Sequence, residues 1–283
     1  MNTSEMTFGI EIETTVAPMT ASINGLVIGS YHRGIQVPYL PAGWVAKHDG
    51  SIHGENGRVG CEIVSPVLRG AEGLEQVIQV VKILEEKGHR VNASCGVHVH
   101  VGWKREWDAA ALARLITQVA YLEKGIYAIT GTKARERGMY CGGVKKYGND
   151  KDAKAVLDYN RYHMLNLTNL ASGRQDTVEF RAFSGSLNPV KVAGWIQICL
   201  GLVERALVVS RKAKWNPPAP KGGWKKAGEG QTEAERLMSV LAWGNACYMR
   251  QFGRALGWLS DAVPMDEVKK EFRRLAKKYD EMI

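Results

Sequence analysis

The chain opens on a period-two pattern. Phe8, Ile10 and Ile12 are apolar, and Glu11 and Glu13 fall among them, so residues 6 to 16 are predicted to form a strand. Residues 17 to 43 are rich in Gly and Pro and predict loops with room for one short hairpin. Two strand-like runs follow, Trp44 to Ile52 and Val59 to Val67, separated by the turn-rich HGENG. Leu74, Val77, Ile78, Val81 and Leu84 then fall at helical spacing. They predict a helix from about Gly70 to Lys87, with Gly88 as its stop. Val91 to Val101 reads as a strand. Trp107 to about Ile129 reads as a long helix with Gly125 as a break point.

The pattern lapses over residues 130 to 158, which are polar, basic and glycine-containing. Loops of this length without structure of their own are usually functional or mobile. Tyr159 to Leu167 and Thr177 to Phe183 read as strands. Pro189 to about Arg211 is a helix with Asn188 as N-cap and Pro189 in its first position. Residues 213 to 231, which hold the run KWNPPAPKGGWKKAGEGQ, form a connector, and two helices follow, 232 to 257 and 265 to 281. Hairpin-scale gaps favour an antiparallel or mixed sheet over a doubly wound one. The fold class is therefore α+β, with flanking helices and a helical C-terminal tail.

Composition adds little to this picture. Apolar residues make up 45% and charged residues 24% of 283, ordinary for a globular protein. No stretch reads as a signal peptide or approaches a membrane span. Cys61, Cys95, Cys141, Cys199 and Cys247 lie far apart and form no C-x-x-C pair, which suits a reducing, cytoplasmic setting. Charge changes the picture more. The net charge is +9, and six Lys/Arg lie between Arg211 and Lys226 with no acid among them. That excess fits a solvated linker, and it also fits a surface for nucleic acid or another acidic polymer.

Four strand segments carry unusual chemistry. Residues two apart on a strand share a face, so Glu11 and Glu13 point away from the core. Such a pair sits on a wet face or is bridged by a cation. In Val97-His98-Val99-His100-Val101 the two histidines share one face. They are either satisfied surface residues or a pair presented to metal or phosphate. In Thr177-Val178-Glu179-Phe180-Arg181, Glu179 and Arg181 share a face, as a structural ion pair or as part of a site. Glu62 adds a carboxylate beside an apolar strand. Four carboxylates left unpaired on one face are strongly destabilising, and divalent cations resolve the conflict. A mostly oxygen ligand set argues for Mg²⁺ or Mn²⁺, with histidine as a minority ligand. An arginine beside such ligands suits a bridging phosphate.

FGIEIE, DGSI followed by CEIVSPVL, CGVHVHVG, RYHMLNL and TVEFRAFSGSLNP, in this order, resemble the amidoligase family. That family is a branch of the carboxylate–amine ligases related to glutamine synthetase and glutamate–cysteine ligase. The resemblance covers about residues 6 to 210. It implies a glutamine synthetase-like catalytic domain over residues 1–212; residues after 212 match no family, and their pattern alone predicts a connector over 213–231 and a helical tail over 232–283 packing on that domain. The resemblance implies an ATP-dependent ligase that uses two or more Mg²⁺ or Mn²⁺ ions and passes through an acyl phosphate. Metal ligands fall on Glu11, Glu13, Glu62, His98 and Glu179. Glu13, His100 and Arg181 take catalytic roles. His98, Arg161, Asn166 and Arg181 bind nucleotide. Asp49 and Ser51 border the acid substrate, and Arg135 and Arg137 contact phosphate or carboxylate, or are solvated loop charges.

Two rival readings stand beside this one. A metal-dependent hydrolase explains the histidines but not the recurring Glu-x-Glu and Glu-x-Arg strands. A catalytically silent member of the fold would bind nucleic acid through the basic connector, which the intact Glu and His set disfavours. No G-x-x-x-x-G-K-[ST] segment occurs, so a nucleotide is expected to be held by metals and sheet. The identities of the acid and the amine are not encoded in these motifs.

Overall fold

The computed structural model describes residues 2–107, 109–144, 161–209, 232–243 and 252–282. The strands are β1 (Thr7–Val16), β2 (Ile35–Gln36), β3 (Val45–Lys47), β4 (Val59–Val64), β5 (Leu68–Arg69), β6 (Gly96–Gly102), β7 (Leu165–Asn166) and β8 (Thr177–Ser184). The helices are α1 (Pro18–Ile23), α2 (Gly70–Glu86), α3 (Ala109–Ala128), α4 (Ala134–Arg137), α5 (Thr168–Ser172), α6 (Pro189–Val208), α7 (Glu233–Val240) and α8 (Met265–Glu281). One sheet runs β2-β3-β4-β1-β6-β8-β7, with β5 adding to β1 beyond β4. All its ladders among the described residues are antiparallel. The chain is α+β, as the hairpin-scale gaps between its strands predict.

Alternation sets the two faces. Phe8, Ile10 and Ile12 of β1, Val97, Val99 and Val101 of β6, and Val178 and Phe180 of β8 are all buried. Helix α6 lies against β6, and α2 and α3 pack beside it, so this face is covered by helices. Each large side chain moved out of water there contributes about 1.5–3 kcal/mol. Phe183 stacks on Trp195 of α6 with ring centroids 5.0 Å apart, and the Trp195 indole donates to the carbonyl of Ile129. Asn188 caps α6 through its side chain, which accepts from the amide of Lys191.

Several strands are shorter than the sequence predicts, and polar turns are the reason. The run from Trp44 ends as strand at Lys47, because Asp49 accepts from both the amide and the hydroxyl of Ser51. The run from Val91 pairs only from Gly96, after Asn92 folds a turn by accepting from Ser94. The run ending at Leu167 reduces to Leu165–Asn166, its first two residues lying outside the described ones. The 17–43 stretch holds the short helix α1 and the short strand β2, and the 130–158 stretch holds α4. In the tail, α7 stops at Val240 and Ala242 turns with φ of 63°. Residues 244–251 of the expected 232–257 helix, and the basic connector with Lys221, Lys225 and Lys226, lie outside the described residues. Helices α7 and α8 pack on α3, and α8 also on α6. No described helix is long and apolar enough to cross a membrane.

Two tertiary details position the site. The β6–β8 register shifts between Val97 and Val99, which face Phe183 and Phe180, so Arg181 and Ala182 together oppose His98. This bulge places Arg181 over the histidine strand instead of one residue along it. Second, the buried carboxylate of Glu204 in α6 accepts from Thr3, just before β1, and from Arg254 and the amide of Gly257. One charge therefore ties the entry to β1 to the C-terminal tail.

Gly125 does not break α3, which runs unbroken to Ala128. A Cβ at Gly125 would lie 2.5 Å from the carbonyl oxygen of Glu233 at the start of α7. The glycine is there for close approach of two helices. Gly→Ala inside an ordinary helix stabilises by about 1 kcal/mol. Gly125→Ala is expected to do the reverse, destabilising by about 1–3 kcal/mol in chemical denaturation, as overpacking does. A neutral or stabilising result would show that α3 and α7 do not meet this closely.

Candidate active site

The face of the sheet opposite the helices gathers the polar residues. Register alone brings them together: Glu13 faces Glu62, Glu11 faces His98, His100 faces Glu179, and Glu179 faces Asn166. In an antiparallel ladder, directly opposed side chains on one face are neighbours. Accordingly Nδ1 of His98 is 3.1 Å from Glu11 and 3.7 Å from Glu179, and its Nε2 is 3.6 Å from Glu13. His100 Nε2 is 3.3 Å from Glu11. Arg181 donates to Glu179 at 2.6 Å, and Asn166 donates to the other oxygen of Glu179 at 2.6 Å. The amide of Gly96 donates to Glu13.

Electrostatics follow from this crowding. Burial works against the charge on Glu11, but His100 and then His98 outweigh it and hold the carboxyl well below the usual range. Burial likewise opposes Glu179, and His100, Arg181 and His98 keep its pKa low. Burial lowers His100, yet Glu11 and Glu179 lift it to about 9. At Glu62 the lowering effect of Lys47, its partner across β3 and β4, is outweighed. Burial first, then Glu11, Glu13 and Asp49, push its carboxyl up to about 9. At neutral pH the cluster thus carries a proton on Glu62 and one on His100.

Three sets of side chains bring ligand atoms within 4.8 Å of one another: Glu11, His100 and Glu179; Glu11, Glu62 and His98; and Glu13, Asp49 and Glu62. All five sequence-expected metal ligands belong to one or more of these sets. His100 and Asp49 join them as well. Asp49 was signalled by its DGS turn but read as a substrate contact, because its sequence gives no clue that β3 lays it beside β4.

The cluster lies in the middle of a cleft with three linked compartments. The central one, about 330 Å³, is walled by Glu11, Glu62, His98, His100, Glu179 and Arg181, with Arg161, Arg174 and Lys47 among its cations. Beyond His100 and Gly9 is a more apolar compartment of about 380 Å³, lined by Gly9, Val64, Pro66 and Val67. Beyond His98 and Arg181 is a third, of about 480 Å³, lined by Ser51, His53, Ser94, Arg135, Tyr140, Arg161 and Tyr162. Arg135 donates to the carbonyl of Arg181 at 2.7 Å, and a Cβ at Gly96 would lie 3.0–3.2 Å from its guanidinium, so the bare glycine makes room for it. Among the described residues neither Arg135 nor Arg161 has a carboxylate partner at ion-pair distance, and Arg135 Nε is buried without a hydrogen bond. Arg161 donates to the hydroxyl of Tyr31.

The remaining expected residues divide. Asn166 lines the central compartment, but its amide is committed to Glu179 and its oxygen accepts from both the amide and the hydroxyl of Thr168. Ser51 spends its hydroxyl on Asp49. Arg137 is brought elsewhere: it lines a separate cavity beside α3, α7 and α8. Arg174 and Tyr31 were missed, since each lies in a turn with no motif around it, and Lys47 was missed because nothing in the sequence pairs β3 with the Glu62 strand.

The sequence matches a family model described as "Putative amidoligase enzyme" over residues 4–155 and 145–203. No curated protein matches it. Among solved structures it is similar to a bifunctional glutathione synthetase from Pasteurella multocida, at 10% identity and a TM-score of 0.47, covering 98% of this chain and 48% of the other. It is also similar to a GmaS–ADP complex, at 13% identity and a TM-score of 0.45, covering 98% and 70%. The chain thus spans about half the length of the first of these. The family match covers more than half of the sequence and carries every strand of the cluster, so the chain belongs to the amidoligase family.

Proposed function

We propose that the chain joins a carboxylate to an amine at the expense of ATP, with divalent metal bound by the cluster. The observation that carries this reading is the three overlapping ligand sets lying between an apolar compartment and a cationic one. The ligand set fits Mg²⁺ or Mn²⁺: it is oxygen-rich and partly to fully buried, and burial with the neighbouring carboxylates of Glu11, Glu13 and Asp49 raises Glu62 despite Lys47. Glu11, Glu13, Glu62, His98 and Glu179 would hold the ions, with Asp49 and His100 as further ligands. Bound metal would screen the charges of phosphate and carboxylate as they approach.

The chain's own residues divide the remaining work. The apolar compartment suits a nucleotide base, and Arg181, Arg161 and Arg174 face the space between the compartments where a polyphosphate would lie. Arg135 and Arg161 are charges that a substrate carboxylate answers. One carboxylate oxygen attacks the γ-phosphorus, ADP leaves, and an acyl phosphate results. The amine then attacks the acyl carbon, inorganic phosphate leaves with the former carboxylate oxygen, and a carboxylate of the cluster accepts the ammonium proton. Arg181, held by Glu179, stands where it can stabilise charge on the transferring phosphoryl group.

The decisive experiment follows the oxygen. An acid labelled with ¹⁸O at its carboxylate, given with ATP, Mg²⁺ and hydroxylamine as a general amine, is expected to yield a hydroxamate and labelled inorganic phosphate. Phosphate release without transfer of label would reject the acyl phosphate, and a metal-dependent hydrolase would then explain the site better.

Metal is expected to stabilise the fold by about 2.7 kcal/mol at one hundred times its dissociation constant. The gain should grow with pH. Stability from the raised pKa of His100 is full below its ordinary value of 6.5 and is lost as pH rises through about 9. Glu62, also raised, favours the unfolded state increasingly from 4.5 up to about 9. Without metal, Glu62→Gln should therefore melt above wild type at pH 8 and level with it near pH 4. With Mg²⁺ the variant should lose most of the gain. An equal gain in both proteins would remove Glu62 from the ligand set.

Arg135→Ala is expected to raise KM for the acid about 10–100-fold with a much smaller change in kcat, because it removes a contact made equally in ground and transition states. A fall in kcat at unchanged KM would place Arg135 on the phosphoryl group instead.

A further inference from the structure

Tyr31 and Arg161 belong to opposite edges of the sheet. Tyr31 precedes β2, the first strand in the order, and Arg161 precedes β7, the last. On a flat sheet six gaps of about 4.8 Å would hold those edges roughly 29 Å apart. Yet Nη1 of Arg161 donates to the hydroxyl of Tyr31 at 3.0 Å, and both residues line the central compartment. Segments from the two edges therefore lean over the polar face and meet above the carboxylates and histidines. Arg161 also lines the third compartment, so the contact stands where the two compartments join.

The partners of Arg161 are unlike those of its neighbours. Arg181 is paired with Glu179, and Arg135 donates to a backbone carbonyl. Arg161 has the Tyr31 hydroxyl and, 5.7 Å from its guanidinium carbon, the ring of Tyr162, itself edge-to-face on Tyr140 with centroids 5.5 Å apart. Uncharged partners orient a guanidinium without neutralising it, so its charge stays free for an anion. Tyr31 keeps a donor as well. Its oxygen accepts from Arg161, and among the described residues its own proton has no acceptor. A hydroxyl polarised by a cation in this way donates more strongly.

We propose that Tyr31 and Arg161 form one two-donor grip on the γ-phosphate of the nucleotide, closed across the cleft from both edges of the sheet. The inference rests on the ligase reading and deepens it, giving a binding role to Tyr31, which lies outside every motif. The γ-phosphate is the anion concerned because of where the pair stands. The apolar compartment assigned to the base lies beyond His100, on the far side of the cluster from the third compartment. A pair at the junction with the third compartment meets the last phosphate of the chain and not the first.

The test measures calorimetric binding of Mg²⁺–ADP and of Mg²⁺–AMP-PNP, whose γ-phosphoryl group is not transferred, to the whole chain. The ratio of the two dissociation constants isolates the γ-phosphate. Tyr31→Phe keeps the half-exposed ring against His32 and removes only the hydroxyl. It should weaken Mg²⁺–AMP-PNP by about tenfold, as loss of a hydrogen bond to a charged group does, and leave Mg²⁺–ADP unchanged. Arg161→Gln should weaken Mg²⁺–AMP-PNP at least as much. In the double variant the effect of Tyr31→Phe should largely vanish, because the guanidinium is what holds the hydroxyl in place. Full additivity of the two substitutions would overturn the joint grip. An unchanged ratio in Tyr31→Phe, or an equal loss for both nucleotides, would overturn the contact with the γ-phosphate. A wild-type chain that binds neither nucleotide would sink the ligase reading and this inference with it. A wild-type chain that binds both, with Tyr31→Phe indistinguishable from it, would sink the inference alone.

Discussion

Mutual repulsion among carboxylates on one sheet face is the constraint on which the rest of the structure turns. Glu11, Glu13, Glu62 and Glu179 are set side by side by backbone register, and Asp49 joins them from the turn after β3. They cannot separate without undoing the ladders that bury the opposite face. Side chains and amides within the cluster meet part of the conflict: protons on Glu62 and His100, the guanidinium of Arg181, the amides of Gly96 and Asn166. Each of these is a weaker answer than a divalent ion, since a proton neutralises one oxygen and an ion gathers several. The apolar face and the acidic face therefore specify each other. The first supplies the rigidity that keeps like charges together, and the second makes that rigidity useful.

The faces were legible because a strand has a period of two. From FGIEIE, CGVHVHVG and TVEFRAF, alternation alone sends Glu11, Glu13, His98, His100, Glu179 and Arg181 to one side. What alternation cannot give is the order of strands. Nothing local tells that β1 lies between β4 and β6, or that the DGS turn brings Asp49 within reach of Glu13 and Glu62. The bulge at Arg181 and Ala182 is equally silent, because it is a property of pairing with His98 and not of either strand. Gly125 is the reverse case. A glycine in a helical pattern signals a break or a close approach, and only the partner, Glu233 of α7, decides which. Arg135 and Arg137 look like one basic pair in the sequence. A single helical turn, too short for any periodicity to reveal, sends them into separate cavities.

The cleft is asymmetric in a way that matters for chemistry. Its two ends differ in polarity, and the ligand cluster lies where they meet. Whatever binds at one end therefore meets whatever binds at the other across the carboxylate and histidine cluster. Asn166 and Ser51 show how much of such a site is support: each lies beside the chemistry yet spends its hydrogen bonds holding a carboxylate in place. The bulge has the same character, since it aims one guanidinium and leaves the hydrophobic layer behind it intact.

The strand order also bears on synthesis at the ribosome. β1 is translated ahead of β4 and β6, yet it pairs with β4 on one side and β6 on the other. About 40 to 90 residues must emerge before either edge of that strand is satisfied, at roughly 5–20 residues per second. For several seconds the nascent chain presents an apolar strand, Phe8, Ile10 and Ile12, with both edges open. Unpaired edges of this kind template aggregation. Glu11 and Glu13, interleaved with those residues, make the strand charged while it waits. The same carboxylates that burden the finished fold act, in the unfinished one, as gatekeepers against self-association.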